Sequence, residues 1–168
     1  MGNVILIGFM GAGKTTVGFR LSYRLRKPVI DTDKEIERAE QRSIAEIFAA
    51  EGEEYFRDSE TRCLNRLLEH TSNQIISVGG GLPLREENRK LLHTLGQVIY
   101  LRATAETIYE RVKHDTARPL LQGDNPLAKI RTMLAARESC YQDAADIVID
   151  VDGKDFEQIL CEIEKEIA

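Results

Sequence analysis

The sequence predicts an α/β fold built on a parallel sheet. Five short apolar runs alternate with segments of helical period, and a glycine-rich segment, GFMGAGKT, joins the first run to the first helix. Glycine or aspartate closes each of the first three runs. Parallel neighbours need crossover connections, and alternating helices supply them. Ligands of such sheets bind beyond the carboxyl ends of the strands, where Asp31, Asp33, the glycines at 79–81 and the first glycine-rich loop all fall.

Residues 3–7 (NVILI) are apolar and β-branched, as in a strand buried on both faces, and the glycines within 8–13 stop it. From Lys14 the apolar residues Val17, Leu21 and Leu25 recur at helical spacing until Pro28, after which residues 29–30 form a second brief strand ending at Asp31 and Asp33. Ser43 with Glu46 reads as a capping box for a helix carrying Ile44, Ile47 and Phe48, and Gly52 separates it from a longer helix through Leu68. Residues 74–78 are the third strand, closed by Gly79, Gly80 and Gly81. A helix follows around 86–94, residues 97–101 make a fourth strand, and Thr104 caps another helix. Between Lys113 and Asn125 the apolar period breaks, and HDTARPLLQGDNP, with Arg118 and Pro119 at its centre, is read as a mobile loop. Pro126 restarts a helix at its favoured first position, running to about Ala144; residues 146–151 give a fifth strand and 156–167 a last helix. With no internal repeat and no linker, residues 1–168 read as a single domain.

Composition narrows the function classes. The chain has 168 residues, 42% hydrophobic and 30% charged, with only 4 prolines, so it should bury a core and be neither fibrous nor disordered. A net charge of −5 argues against general affinity for nucleic acid or anionic membrane, so any anion must be held by local geometry. The longest apolar stretch, residues 4–10, is far short of the roughly 18 residues of a membrane span, and no secretory signal pattern is present. These features read as a soluble cytosolic protein. Cys63, Cys140 and Cys161 form no CxxC pair, which excludes a disulfide framework, and His70, His93 and His114 form no cluster.

GFMGAGKT at 8–15 matches GxxxxGK[ST], with Gly8, Gly13, Lys14 and Thr15 in register between a strand and a helix. A polyphosphate needs a concave run of backbone N–H groups, which glycines permit, and the helix N-terminus adds its dipole. Gly11, Ala12, Gly13, Lys14, Thr15 and Thr16 are therefore the ATP-binding candidates. Lys14 supplies a point charge for the β and γ phosphates, and the Thr15 hydroxyl is a hard oxygen suited to direct ligation of Mg²⁺. The third strand ends in glycines, so the carboxylate near the metal must come from elsewhere. Asp31 is the candidate, acting through a metal-bound water; a turn or helix N-cap aspartate is its structural alternative.

Asp33, two residues on, would point the same way as Asp31 in an extended segment, and its carboxylate can accept a proton from an acceptor hydroxyl. Arg57 in FRDSE (56–60) and Arg137 in ARESCY (136–141) lie among helical residues. Either alone reads as a surface arginine, but the planar guanidinium grips a carboxylate in bidentate fashion. One aspartate with two arginines suggests an acceptor anionic at one end and hydroxylated at the other. Arg118, in the polar loop, suits a cation that closes over the transferred phosphoryl group.

Taken in order, GFMGAGKTTVG at 8–18, DTD at 31–33, FRDSE at 56–60, GGG at 79–81, RPLL at 118–121 and ARESCY at 136–141 closely resemble the shikimate kinase family, among the small P-loop kinases that include the nucleoside monophosphate kinases. The resemblance runs from residue 4 to about residue 150. It implies ATP-dependent phosphorylation of the 3-hydroxyl of shikimate, in the route to chorismate and the aromatic amino acids. It also implies a three-layer fold with sheet order 2-3-1-4-5, a substrate-binding segment near 33–61, a lid near 112–124, and a cytoplasmic monomer. Carried over by position, Lys14 and Thr15 serve ATP and Mg²⁺, Asp31 the metal's water, and Asp33 the shikimate hydroxyls. Arg57 and Arg137 clamp the shikimate carboxylate, Gly79 and Gly80 offer backbone N–H groups to the substrate, Arg118 reaches the phosphates, and Arg111 resembles the family's adenine-stacking arginine. VDGKDF at 151–156 departs from the pattern in lacking the proline of the adenine-contacting loop; Lys154 there is read as a solvated lysine, with a substitute adenine contact as its alternative.

The rival enzyme reading is another kinase of the same architecture, acting on gluconate or a nucleoside monophosphate. A monophosphate acceptor asks for more cations than two arginines, and an uncharged sugar needs neither. A regulatory module without catalysis is the rival from another class; Lys14, Asp33 and Arg118 together argue against it.

Overall fold

The computed structural model describes residues 2–114 and 123–167. Its sheet has five parallel strands, β1 (Asn3–Ile7), β2 (Val29–Asp31), β3 (Ile75–Ser77), β4 (Gly96–Arg102) and β5 (Ile147–Asp150), in the order β2-β3-β1-β4-β5. β1 is central, with Leu6 beside Ser77 of β3 and Ile7 beside Tyr100 of β4. All five of its residues are buried, as a strand covered on both faces requires.

The helices are α1 (Lys14–Leu25), α2 (Thr32–Glu40), α3 (Ile44–Glu51), α4 (Glu53–His70), α5 (Glu86–Leu95), α6 (Ala105–Val112), α7 (Pro126–Ala144) and α8 (Phe156–Ile167). α1 packs with α8, while α5 packs on both α4 and α7, so the sheet is the middle of three layers. Val17 and Leu21 of α1, Leu64 and Leu67 of α4, and Ile159 and Ile163 of α8 are buried in a core shared with β1, β3 and β4.

Buried polar groups tie the ends of this sandwich together. Asn3 donates from Nδ2 to the Thr71 and Leu95 carbonyls at 3.1 and 3.0 Å and accepts from the Gln74 amide at 3.0 Å, so its buried amide is satisfied on both sides. Asn88, fully buried, accepts from Thr61 Oγ1 at 2.7 Å and donates to the Leu82 carbonyl at 2.9 Å. That chain fixes a short 3-10 turn, Leu82–Leu84, behind the glycines that follow β3.

Two elements depart from the sequence expectation. α2 was not anticipated, because Ile36 is its only buried apolar side chain and no apolar period marks it. Asp31 starts it, its Oδ1 accepting from the amides of Asp33 at 2.9 Å and Lys34 at 3.3 Å. Asp33 therefore sits in a first helical turn and not on an extended segment, which corrects the geometry expected for this pair. The 3-10 turn is the second addition; three residues are too few to show a period.

Candidate active site

β1 ends at Ile7 and α1 begins at Lys14, so the glycine-rich segment must turn sharply. Gly11 (φ +79°) and Gly13 (φ +104°) take left-handed backbone angles, and a Cβ on Gly11 would lie 2.7 Å from Val112 Cγ1. α1 has no side-chain cap and no acid in its first turn, which leaves its leading N–H groups and positive dipole end to an anion. Gly11, Gly13, Lys14, Thr15 and Thr16 line a cleft of about 360 Å³. Ala12 is buried beneath the loop, its amide donating to the Phe9 carbonyl at 3.1 Å. Lys14 Nζ arches back over the loop, donating to the carbonyls of Gly8 and, at 3.4 Å, Phe9. Arg111 closes the loop's outer side, donating to the carbonyls of Ala12 at 2.8 Å and Gly11 at 3.3 Å.

The far wall of the same cleft is Asp31, Asp33, Ser77, Val78, Gly79 and Gly80. Here three consecutive glycines each face one candidate side chain. A Cβ on Gly79 would lie 2.7 Å from Asp33 Oδ1, one on Gly80 would lie 3.5 Å from Arg137 Nη1, and one on Gly81 would overlap the Arg57 guanidinium. The glycine turn thus lets a carboxylate and two guanidinium groups crowd onto one strip of backbone. Arg137 stacks on Phe9, its Cζ 5.4 Å from the ring centroid, and the neighbouring Tyr141 hydroxyl holds the Gly80 carbonyl at 2.7 Å. The Gly79 amide is already engaged, donating to Thr32 Oγ1 at 3.1 Å. The expectation that Gly79 offers a free N–H is corrected accordingly, since the buried Thr32 hydroxyl takes it; Gly79's contribution is the absence of a side chain.

Burial pushes the Asp33 carboxyl above its ordinary range and the Asp31 charge adds to this, while Lys14 and Arg57 pull it back. Glu60, which sequence reasoning did not single out, stands beside it. Its carboxyl is buried, Oε1 accepts from Arg57 Nη1 at 2.7 Å, and Oε2 has no hydrogen-bond partner among the described residues. Desolvation pushes its pKa up to about 7, against the pull of Arg57 and with the push of Asp33. Arg57 also meets Glu53 at 3.6 Å, and its side chain is only 14% exposed. The signal was present in FRDSE, because residues three apart share a helix face and Glu60 had to meet Arg57.

A divalent cation fits this donor set. Among the described residues no cluster of three or more His, Cys, Asp or Glu is arranged to cage a metal. What the cleft offers is the Thr15 hydroxyl and the Asp31 carboxylate, fixed by its cap bonds; that sparse set suits Mg²⁺, which keeps waters and shares phosphate oxygens. Arg118 and residues 115–122 of the expected lid lie outside the described residues. Lys154 is ion-paired with Glu162 at 2.6 Å, both side chains remaining partly exposed.

Comparison with known proteins follows the same lines. A shikimate kinase family model matches residues 10–168. A shikimate kinase of Symbiobacterium thermophilum is 44% identical over 163 residues, covering 96% of this chain and 93% of that protein. Among solved structures, shikimate kinase from Acinetobacter baumannii in complex with shikimate superposes with a TM-score of 0.91 at 37% identity, over 99% of this chain and 93% of that one. A gluconokinase from Sinorhizobium meliloti, at 18% identity and a TM-score of 0.55 over 96% of this chain and 88% of that one, shares the fold.

Proposed function

This chain belongs to the shikimate kinase family, and on that premise we propose that it transfers the γ-phosphoryl group of ATP to the 3-hydroxyl of shikimate, giving shikimate 3-phosphate and ADP. The observation that carries the reading is the meeting of two half-sites in one cleft: the phosphate loop with Lys14 and Thr15 on one wall, and Asp33 with Gly79 and Gly80 on the other. Arg137 and Arg57 stand at the next glycines of that wall, where a carboxylate can be gripped while the ring's hydroxyls turn to Asp33. A nucleoside monophosphate, with a doubly charged phosphate, makes poorer use of this pairing of one carboxylate with two cations; gluconate is itself a hydroxylated carboxylate, and it is the family match and the likeness to a shikimate complex that favour shikimate over it.

In the proposed reaction the acceptor oxygen forms a bond to the γ phosphorus as the bond from that phosphorus to the β,γ-bridging oxygen breaks. The hydroxyl proton passes to Asp33, whose burial makes it a better base than a solvated aspartate. A loose transition state asks mainly for alignment, and the rigid glycine strip supplies that. Lys14 and the N-terminus of α1 hold the β and γ phosphates, and Arg118 is assigned to the transferred group on the strength of the RPLL sequence. Mg²⁺, held by Thr15 and by Asp31 through water, would neutralise phosphate charge. Asp33 also keeps the hydroxyl oriented, Arg57 and Arg137 orient the carboxylate, and Glu60 holds Arg57 in place. The same reading carries the expectations of a single domain acting as a cytoplasmic monomer.

Incubation with MgATP and shikimate, followed by phosphorus and proton NMR of the product, tests the regiochemistry. Phosphorylation at the 3-position is expected; phosphate on another hydroxyl would mean the acceptor lies differently against Asp33.

A further inference from the structure

Phe9 belongs to both walls of the cleft. Its carbonyl is built into the phosphate loop, accepting from the Ala12 amide at 3.1 Å and from Lys14 Nζ at 3.4 Å. Its ring, 1% exposed, lies under the Arg137 guanidinium, whose Cζ is 5.4 Å from the ring centroid. The acceptor wall closes on the same spot. A Cβ on Gly80 would lie 3.5 Å from Arg137 Nη1 and 3.6 Å from both the Gly8 carbonyl oxygen and the Met10 nitrogen. Residues 8–10 of the donor wall and Gly80 of the acceptor wall therefore meet along a seam, and Arg137 stands beside it.

The two arginines of the acceptor wall are held in different ways. Arg57 lies over the Phe56 ring at 5.5 Å, but it also meets two carboxylates, Glu60 at 2.7 Å and Glu53 at 3.6 Å, so its charge is largely answered before an acceptor arrives. Arg137 is half-buried and, among the described residues, has no carboxylate within ion-pair distance. What holds it is neutral: the Phe9 ring, and the hydroxyl of Tyr141, which itself donates to the Gly80 carbonyl at 2.7 Å. A cation taken from water without a counter-ion is costly, and the negative face of an aromatic ring offsets part of that cost without neutralising the charge. An incoming carboxylate then meets an uncommitted guanidinium, the condition for a strong bidentate pair. Position 9 is one of the unspecified places of GxxxxGK[ST], so phosphate binding does not itself demand a ring there.

We propose that Phe9 is a positioning residue of the acceptor site: its ring is the neutral mount that keeps Arg137 aimed and its charge uncommitted, so that a phosphate-loop side chain sets the affinity for the acceptor's carboxylate. The proposal rests on the assignment of Arg137 to that carboxylate.

The test uses Phe9→Leu and Phe9→Met, which keep an apolar side chain and remove the ring, and Phe9→Tyr, which keeps the ring. Two ring-free variants are made so that a folding defect in one, read by thermal melting, leaves the other as the test. In steady-state kinetics the ring-free variants should raise KM for shikimate by about 3- to 30-fold, with KM for ATP within about twofold, and Phe9→Tyr should stay near the natural protein. Arginine modification by phenylglyoxal, mapped by mass spectrometry without substrates, reads the mount alone. Arg137 should react at least about threefold faster in the ring-free variants, with Arg57 unchanged. Unchanged KM for shikimate, an equal rise in KM for ATP, equal loss in Phe9→Tyr, or an unchanged Arg137 rate would each overturn the proposal. Absence of shikimate turnover in the natural protein would overturn the acceptor reading instead, and the Arg137 rates would still test the mount, so the two fail separately.

Discussion

Asp33 Oδ1 lies so close to Gly79 that a Cβ on the glycine would come within 2.7 Å of it and 3.3 Å of Glu60 Oε2. The added methyl would displace the Asp33 carboxylate, which lines the cleft from the first turn of α2, and press on Glu60, which is buried against Arg57. Gly79→Ala should therefore lower kcat/KM for shikimate at least about tenfold while KM for ATP stays within about twofold, read by steady-state kinetics. An unchanged shikimate kcat/KM would mean that this contact does not set the acceptor pocket.

Asp33→Asn keeps the shape and removes the proton acceptor. We expect kcat to fall by about 10²- to 10⁴-fold. Because burial holds the natural carboxyl above its ordinary range, ionising Asp33 opposes folding at neutral pH, and the amide should leave the thermal midpoint at pH 7 equal or higher. Near-normal kcat in this variant would remove Asp33 from the chemistry.

Arg57 and Arg137 are assigned to one carboxylate, and that assignment predicts a coupling. Shikimate methyl ester should be a much poorer acceptor than shikimate for the natural protein, and the gap should shrink in Arg57→Ala and in Arg137→Ala, with KM for ATP little changed. Equal discrimination in all three proteins would place the carboxylate elsewhere.

Glu60 predicts a pH effect whose sign follows from its shift. Its pKa rises from 4.5 to about 7 on folding, so the folded state holds the proton more tightly. The stability this confers is fully present below the unfolded value and is lost as pH rises through about 7, an effect of about 3 kcal/mol at most. Glu60→Gln lacks this loss. Thermal midpoints measured from pH 4 to pH 8 should show the variant gaining on the natural protein as pH rises; a constant gap would contradict the shift.

The strands, the capping box of Ser43 and Glu46, and the starts of α7 at Pro126 and α8 at Phe156 were legible in the sequence, because each has a local chemical signature. α2 was not, since a helix with one buried apolar residue carries no period and its start at Asp31 is shared with a functional carboxylate. The same limit acts in the site. Lys14, Thr15, Asp33, Arg57 and Arg137 stand in recognisable motifs, whereas the orphan Oε2 of Glu60, the capture of the Gly79 amide by Thr32 and the ring of Phe9 beneath Arg137 depend on contacts across the fold.

The most direct measurement is a coupled ADP-release assay with MgATP and shikimate, quinate, gluconate, AMP and CMP offered in turn. The account predicts turnover with shikimate far above every other acceptor. Comparable or greater turnover with gluconate or a nucleoside monophosphate would keep the phosphate loop and overturn Asp33, Arg57 and Arg137 as a clamp for shikimate.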